Sequence, residues 1–209
     1  MKKLMIMAVM MIAAMSANAQ TPEEGAVLVR PMAGVTLSSY GVDISSAGGS
    51  YKSKYKVGFT VGAEVGYQVN SWFQPSLGVF YSQQGSKMKE KVITAIGTES
   101  STYSSPADYL VMPVLANFYV ADGLALKAGV QPGILLSAKY DGADIKDAMK
   151  SFQLQIPVGV SYEYQNFVLD ARMFIPVTKA AKSTDGKDIF QDDIMNNAFA
   201  ITVGYNFKL

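Results

Sequence analysis

The sequence predicts an all-β fold in which eight antiparallel strands close into an up-and-down barrel. Two observations predict it. Apolar side chains alternate with small or polar ones along most of the predicted strands. The connections between these strands are alternately long and short. No long window repeats apolar residues at helical spacing, and no segment after the N-terminal region is apolar enough for a transmembrane helix.

The clearest strand is the last one, where Phe199, Ile201 and Val203 alternate with Ala200, Thr202 and Gly204. Four other segments alternate as cleanly: 57–67, 124–137, 152–164 and 167–177. Three more strands are predicted near 27–38, 72–84 and 108–119, where the alternation is less regular. Strands of about 9–14 residues exceed the usual length in globular proteins and match what a tilted strand needs to cross a bilayer.

The connections predict how the barrel is oriented. Tight turns rich in Asn, Asp and Gly are expected at 69–71, 121–123 and 165–166. Long polar loops are expected at 39–55, 87–106, 141–148 and 178–196. Antiparallel neighbours joined in this way place all short turns at one end. In bacterial outer-membrane barrels, that end faces the periplasm and the long loops face outside.

The first 19 residues have the features of a cleaved signal peptide. Lys2 and Lys3 precede an apolar run from Leu4 to Met15, and Ser16–Ala19 supplies the small residues that signal peptidase recognises. We therefore expect residues 1–19 to be removed and residues 20–209 to form one barrel domain. The full sequence has 18 basic and 17 acidic residues. Removal of Lys2 and Lys3 leaves 16 basic residues and a net charge of −1. This balance argues against nucleic acid as a partner.

The glycines decide which face of each strand meets lipid. A soluble, lipocalin-like barrel would have the apolar face inside, whereas a membrane barrel has it outside. Glycine weakens a strand that faces water, but inside a narrow barrel it makes room for larger neighbours. Nine glycines share the less apolar face, which predicts a membrane barrel: Gly34, Gly58, Gly62, Gly66, Gly78, Gly129, Gly133, Gly159 and Gly204.

Aromatic residues on the apolar face fall into two groups, as in the girdles of membrane barrels. At a typical strand tilt, Phe59 and Tyr67 are separated by about 20 Å along the membrane normal. The predicted girdle at the long-loop end comprises Phe59, Tyr81, Tyr140, Phe152 and Phe199. The predicted girdle at the short-turn end comprises Tyr67, Phe73, Phe118, Tyr164, Phe167 and Phe207.

Six prolines fall within the predicted strands: Pro31, Pro75, Pro113, Pro132, Pro157 and Pro176. Proline cannot donate a hydrogen bond to a neighbouring strand, and a closed barrel has no free edge. We therefore expect bulges or strand ends at these positions.

Three stretches resemble a known family. They are YSQQG at 81–85, DYLVMPVLANFYV at 108–120 and the terminal VGYNFKL. They are similar to the outer-membrane β-barrel domain family that includes the PorT-like proteins of Gram-negative bacteria. The resemblance implies insertion by the barrel-assembly machinery, and it suggests an accessory role in envelope transport or secretion. It assigns no activity, since fold alone does not determine function.

Charged residues on the inner face are the candidate site. An isolated buried ion is very costly, so charges enclosed in a narrow lumen are expected to pair. The predicted structural charge network comprises Arg30, Glu64, Lys127, Glu163, Asp170 and Arg172. A gated polar path or ligand contact is the alternative, although eight strands leave little room for an open pore.

Catalytic and metal sites are not predicted. The chain has no histidine, the usual general base near neutral pH, and no cysteine to bind a metal. A Ser–Lys or paired-carboxylate site stays open, but no motif marks one. The Asp-rich stretches DGADIKD at 141–147 and STDGKDIFQDD at 183–193 do not match a known calcium loop. No cofactor is expected.

The sequence therefore predicts a non-enzymatic outer-membrane barrel with a plugged polar lumen and surface loops in structural or interaction roles. An accessory part in secretion is the alternative, and a lipid-modifying enzyme is the weakest hypothesis. Expected partners are outer-membrane lipid and lipopolysaccharide, which the basic run KMKEK at 87–91 could contact. Envelope or secretion proteins are further candidate partners.

Overall fold

A computed structural model describes residues 21–40, 43–46, 49–94, 97–178 and 195–209. The predicted signal peptide and the stretch 183–193 lie outside these residues. Nearly all of the regular structure is strand: β1 (Val27–Ser39), β2 (Asp43–Ser46), β3 (Gly49–Tyr67), β4 (Phe73–Thr94), β5 (Gly97–Val111), β6 (Val114–Ala121), β7 (Leu124–Tyr140), β8 (Ala143–Asp144), β9 (Phe152–Tyr164), β10 (Phe167–Pro176), β11 (Asn197–Tyr205) and β12 (Phe207–Lys208).

The strands close into a barrel, as predicted. Strand β1 pairs with β3 on one side and with β11 and β12 on the other. Strands β5 and β6 together form one barrel strand interrupted at residues 112–113, and β11 and β12 form another interrupted at Asn206. The pairings that link them are antiparallel. The short strands β2 and β8 are hairpin additions to β3 and β7.

The predicted tight turns have the expected local chemistry. The Asn70 Oδ1 atom accepts hydrogen bonds from the backbone nitrogens of Trp72 (3.1 Å) and Phe73 (2.9 Å). Gly123 has a φ of +68°, a conformation that favours glycine. Gln165 has a φ of +54° in the two-residue turn between β9 and β10. These turns place three hairpins at one end of the barrel.

Two predicted long loops are largely strand, and this part of the prediction was wrong. Strand β3 begins at Gly49, β4 continues to Thr94 and β5 begins at Gly97, so 39–55 and 87–106 contain paired backbone. These segments are polar on both faces and therefore lack the apolar period that marked the other strands. The predicted loop 141–148 contains β8 and a 3₁₀ turn at Lys146–Ala148.

Burial alternates along the barrel strands as the sequence predicted. On β10, Leu169 is 53% exposed and the adjacent Asp170 is 1% exposed. On β11, Val203 is 55% exposed and Thr202 is 7% exposed. The apolar side chains therefore cover the outside of the barrel, and the polar ones line its interior.

The interior also contains an apolar cluster that the sequence pattern did not reveal. Its buried members come mainly from β4, β5 and β7: Met32, Tyr40, Phe80, Ala107, Tyr109, Val111, Leu135, Ala138 and Met149. Apolar residues on both faces explain why β1, β4 and the β5–β6 strand alternate less regularly than the rest.

Several prolines coincide with breaks in pairing, in line with the prediction. Pro113 lies between β5 and β6, and Pro176 ends β10. Pro157 lies where the pairing of β7 with β9 is interrupted, and Pro31 lies opposite the break between β11 and β12. Pro132, by contrast, is paired with Leu154 inside a strand, where we had expected a bulge or an end.

Candidate functional site

The barrel strands bring the six predicted inner-face charges together. Each lies on the inward period of its strand, and β1 and β3 pair Arg30 directly with Glu64. All six are at most 5% exposed: Arg30, Glu64, Lys127, Glu163, Asp170 and Arg172. We call these six residues the lumen charge network.

Glu64 is the centre of this network because three cations surround its carboxylate. The Arg172 Nη2 atom donates a hydrogen bond to Glu64 Oε2. The Nζ atom of Lys127 lies 3.5 Å from Glu64 Oε1, and the Nη1 atom of Arg30 lies 4.0 Å from it. The hydroxyl of Ser76 donates to the same oxygen at 3.1 Å.

Asp170 shares two of these cations. The Nζ atom of Lys127 donates to Asp170 Oδ2 at 2.6 Å, and Arg172 Nη2 donates to the same oxygen at 3.0 Å. The Nε atom of Arg172 also lies 2.7 Å from Asp170 Oδ1. Arg172 therefore bridges the carboxylates of Glu64 and Asp170.

Glu163 lies on the other side of Arg30 and is held by three donors. Arg30 Nη2, the Tyr119 hydroxyl and Asn206 Nδ2 each donate to its carboxylate at 2.7 Å. Asn206 Oδ1 in turn accepts from Arg30 Nε at 2.6 Å. Tyr119 and Asn206 were not among the predicted site residues; both are buried, Tyr119 on β6 and Asn206 at the break between β11 and β12.

The network is electrically balanced, with three cations and three anions. Charges in a low-dielectric interior are retained when they are paired and hydrogen-bonded, and removing one partner leaves an uncompensated ion. The arrangement can therefore hold strands that are distant in sequence together across the lumen. Arg172 and Glu64, for example, are 108 residues apart.

Gly159 gives the network its space. It is paired with Lys127 on one side and Arg172 on the other. A Cβ atom at this position would lie 2.3 Å from the backbone oxygen of Ala171 and 3.0 Å from Arg172 Cγ. The missing side chain therefore leaves room for the Arg172 side chain to pass over this position, as the glycine-rich inner face suggested.

A layer of uncharged amides lies further towards the long-loop end. Gln131 Nε2 donates to Gln155 Oε1 at 3.1 Å, and Gln155 Nε2 donates to the Asn196 backbone oxygen at 3.1 Å. Asn196 Nδ2 donates to Gln84 Oε1 at 2.5 Å. These residues were not predicted as site residues. Gln131 and Gln155 lie on the polar period of their predicted strands, whereas Asn196 was predicted to lie in a loop.

A small cavity lies beside Asp170 and Arg172, between the charges and the amide layer. It measures about 20 Å³, which is room for about one water molecule. Its lining is mixed: Thr36, Thr60, Ser82, Gln131 and Thr202 are polar, and Phe80, Val111, Phe174 and Ala200 are apolar. A cavity of this size does not hold an organic ligand.

Ten of the eleven predicted girdle residues lie on the outer face, half-buried or exposed. Tyr140 does not, because a register shift in β7 puts it in phase with the buried Ala138, and its ring contacts Tyr103 instead. Phe59 and Tyr81 are in ring contact at 5.4 Å at the long-loop end. Phe73 and Phe118 are in contact at 5.4 Å at the short-turn end. Trp72, which was not predicted, stacks on Phe118 at 6.1 Å and extends that girdle.

The two ends of the described chain meet in an exposed ion pair. Lys208 hydrogen-bonds the carboxylate of Glu23 outside the membrane-spanning strands, and this contact lowers the pKa of Glu23. Solvent screens such a pair, so it contributes little to stability.

The structure offers no metal centre in the part it describes, where no three Asp or Glu carboxylates converge. In the stretch 141–147, Asp144 Oδ1 accepts a hydrogen bond from the Lys146 backbone nitrogen at 2.9 Å. Nor does any described helix have the length and apolar character needed to span a membrane.

The sequence profile of a family described as "Outer membrane protein beta-barrel domain" matches residues 18–181. The chain belongs to this family. Its membership places the chain in the outer membrane, so the apolar outer face described above meets lipid. A comparison with curated proteins finds no significant match.

Solved structures of small outer-membrane barrels are similar to this chain. The crystal structure of OprG from Pseudomonas aeruginosa shares 12% identity, with 90% of this chain and 99% of that chain covered and a TM-score of 0.49. Neisserial surface protein A shares 18% identity, with 88% and 100% covered and a TM-score of 0.48. Ail of Yersinia pestis shares 17% identity, with 88% and 99% covered and a TM-score of 0.44.

Proposed function

We propose that this protein is a non-enzymatic outer-membrane barrel with a closed lumen, and that its extracellular end acts in structural or surface interactions. The observation that supports a closed lumen is the lumen charge network. Its three cations and three anions are buried and pair with one another. Side chains that neutralise each other across a narrow barrel leave no continuous aqueous path.

Planar-bilayer conductance tests this proposal directly. The refolded barrel is added to a bilayer, with a large porin as the positive control for insertion. We expect no steady conductance, because the charge network and the amide layer fill the cross-section. Stable channels of nanosiemens size would contradict the closed lumen.

An accessory role in envelope transport or secretion is the second candidate. It rests on the resemblance of YSQQG, DYLVMPVLANFYV and VGYNFKL to PorT-like proteins. A deletion strain separates the two candidates. Loss of secreted proteins from the medium would favour the secretion role, whereas intact secretion with altered adhesion would favour surface interaction.

An enzymatic role has the weakest support, because the sequence has no histidine to act as a general base. Mass spectrometry of lipid A from a strain that expresses the protein provides the test. We expect an unchanged spectrum, and a new lipid A species would contradict the non-enzymatic proposal.

A further inference from the structure

The segment that precedes β1 turns back over the short-turn end of the barrel. The backbone nitrogen of Ala26 donates to the backbone oxygen of Glu23 at 3.1 Å, which closes a β-turn over residues 23–26. Gly25 in this turn has a φ of +80°, a conformation that is costly for residues with a side chain. A Cβ atom there would have no neighbour within 4 Å in the described part of the chain, so conformation and not space accounts for the glycine.

One end of this segment is attached beside β3. The backbone nitrogen of Gln68 donates to the Ala26 oxygen at 2.9 Å, and the Gly25 nitrogen donates to the Gln68 oxygen at 2.8 Å. In the adjacent turn between β3 and β4, the Ser71 backbone nitrogen donates to Glu24 Oε1 at 3.0 Å. These contacts fix residues 24–26 at the first short turn of the barrel.

The remaining contacts lie at two other parts of the rim. Lys208 of β12 donates a hydrogen bond to the Glu23 carboxylate. The backbone nitrogen of Gly123, in the turn between β6 and β7, donates to Thr21 Oγ1 at 3.4 Å. In the order of the barrel strands, this turn is opposite the junction of β12 with β1. The segment therefore crosses the mouth of the barrel and does not follow its rim.

Inward-facing residues at this mouth are shielded from water. Gln68 and Gln74 are at most 1% exposed, and Gln74 Nε2 donates to Gln68 Oε1 at 2.8 Å. Ala125, two residues after Gly123, is 0% exposed. Residues at the open end of a barrel meet solvent unless something covers them, and the segment before β1 lies in the covering position.

We propose that residues 21–26 form a strap that closes the periplasmic mouth of the barrel. This closure goes beyond the proposed function, because the centre of the lumen charge network, Glu64, lies four residues deeper along β3 than Gln68. Glu23, Glu24 and Gly25 are themselves exposed. A segment with few buried contacts opens at low free-energy cost, so the strap can be released while the barrel stays folded.

Thiol modification of the refolded barrel in detergent micelles tests this proposal. The reporter is Ala125→Cys, a small change at a fully buried position in a chain that has no cysteine. A charged, water-soluble thiol reagent reacts with this cysteine when the mouth is open. Its rate is measured in the reporter alone, with Gly25→Ala, and in a variant that lacks residues 21–24.

Gly142→Ala is the matched control. Gly142 has a φ of +86°, and a Cβ atom there would also meet no described atom within 4 Å, as at Gly25. It lies in the turn between β7 and β8, at the opposite end of the barrel. The control therefore introduces the same backbone strain away from the strap. The heat-dependent gel shift of folded barrels shows that each variant is folded.

We expect Gly25→Ala to raise the modification rate at least about fivefold and the control to change it less than about twofold, because alanine disfavours the left-handed conformation that the strap requires. The variant without residues 21–24 should react faster still. An unchanged rate in both strap variants would overturn the proposal. So would a control that reacts as fast as Gly25→Ala, or rapid reaction of the reporter alone.

Conductance is measured on the same samples. A channel formed by the barrel with an intact strap would contradict the closed lumen of the proposed function, whereas the thiol rates decide whether the strap covers the mouth.

Discussion

At the scale of single residues, stability depends on pairing inside the barrel. Arg172 contacts both Glu64 and Asp170, and each of these carboxylate residues is only 1% exposed. Replacing one partner of a buried ion pair is far more costly than the net contribution of the pair itself, because the remaining ion stays buried.

Arg172→Ala should therefore lower the free energy of unfolding in lipid vesicles by about 3–5 kcal/mol. Urea unfolding, followed by the heat-dependent gel shift, provides the measurement. Lys208→Ala is the matched control, since it removes a cation from the exposed pair with Glu23, for which we expect a change below about 1 kcal/mol. An Arg172→Ala variant as stable as the control would show that the network does not support the fold.

The six charged residues could be identified from the sequence because the period of two assigns each of them to the inner face of its strand. Most other residues on that face are small or uncharged. The partners of the six charged residues could not be identified. Tyr119 lies on a strand with apolar residues on both faces, so the sequence does not determine which face it occupies; in the structure it is buried together with Leu115 and Asn117. Which cation meets which carboxylate depends on the stagger between strands, and the sequence period does not determine that stagger.

At the scale of elements, the lipid-facing strands were predictable and the extended sheet was not. Alternation identifies a strand only where one face is apolar, and around Lys87–Lys91 both faces are largely polar. A period of two is nevertheless present there in the charged residues, because the lysines of KMKEK occupy every second position.

The girdle at the short-turn end has a natural reporter in Trp72, the single tryptophan of the chain. It is 54% exposed on the outer face and stacks on Phe118. Its fluorescence in vesicles should be quenched more strongly by lipids brominated near the headgroup than by lipids brominated near the bilayer centre, because girdle aromatics lie at the interface.

The control for that measurement is Trp72→Phe combined with Leu169→Trp, which moves the reporter to an exposed position within the apolar band. Quenching should then be stronger with bromine placed deeper in the chains. If Trp72 were quenched only by an aqueous quencher such as iodide, the short-turn girdle would not lie in the membrane.

At the scale of the whole molecule, one geometric arrangement accounts for both surfaces. A closed barrel with a period of two gives every strand one face for lipid and one for the interior, and eight strands leave an interior that side chains can fill. The apolar exterior and the paired charges are therefore consequences of the same alternation.

Nitroxide scanning along residues 198–205 of β11 tests this account most directly, and the absence of cysteine allows single-cysteine variants without background. In vesicles, Phe199, Ile201 and Val203 should be accessible to oxygen and inaccessible to a water-soluble nickel complex. Ala198, Ala200 and Thr202 should be inaccessible to both. Nickel access at the first set would show that the apolar face meets water, and nickel access at the second would show an open lumen; either result would contradict the account.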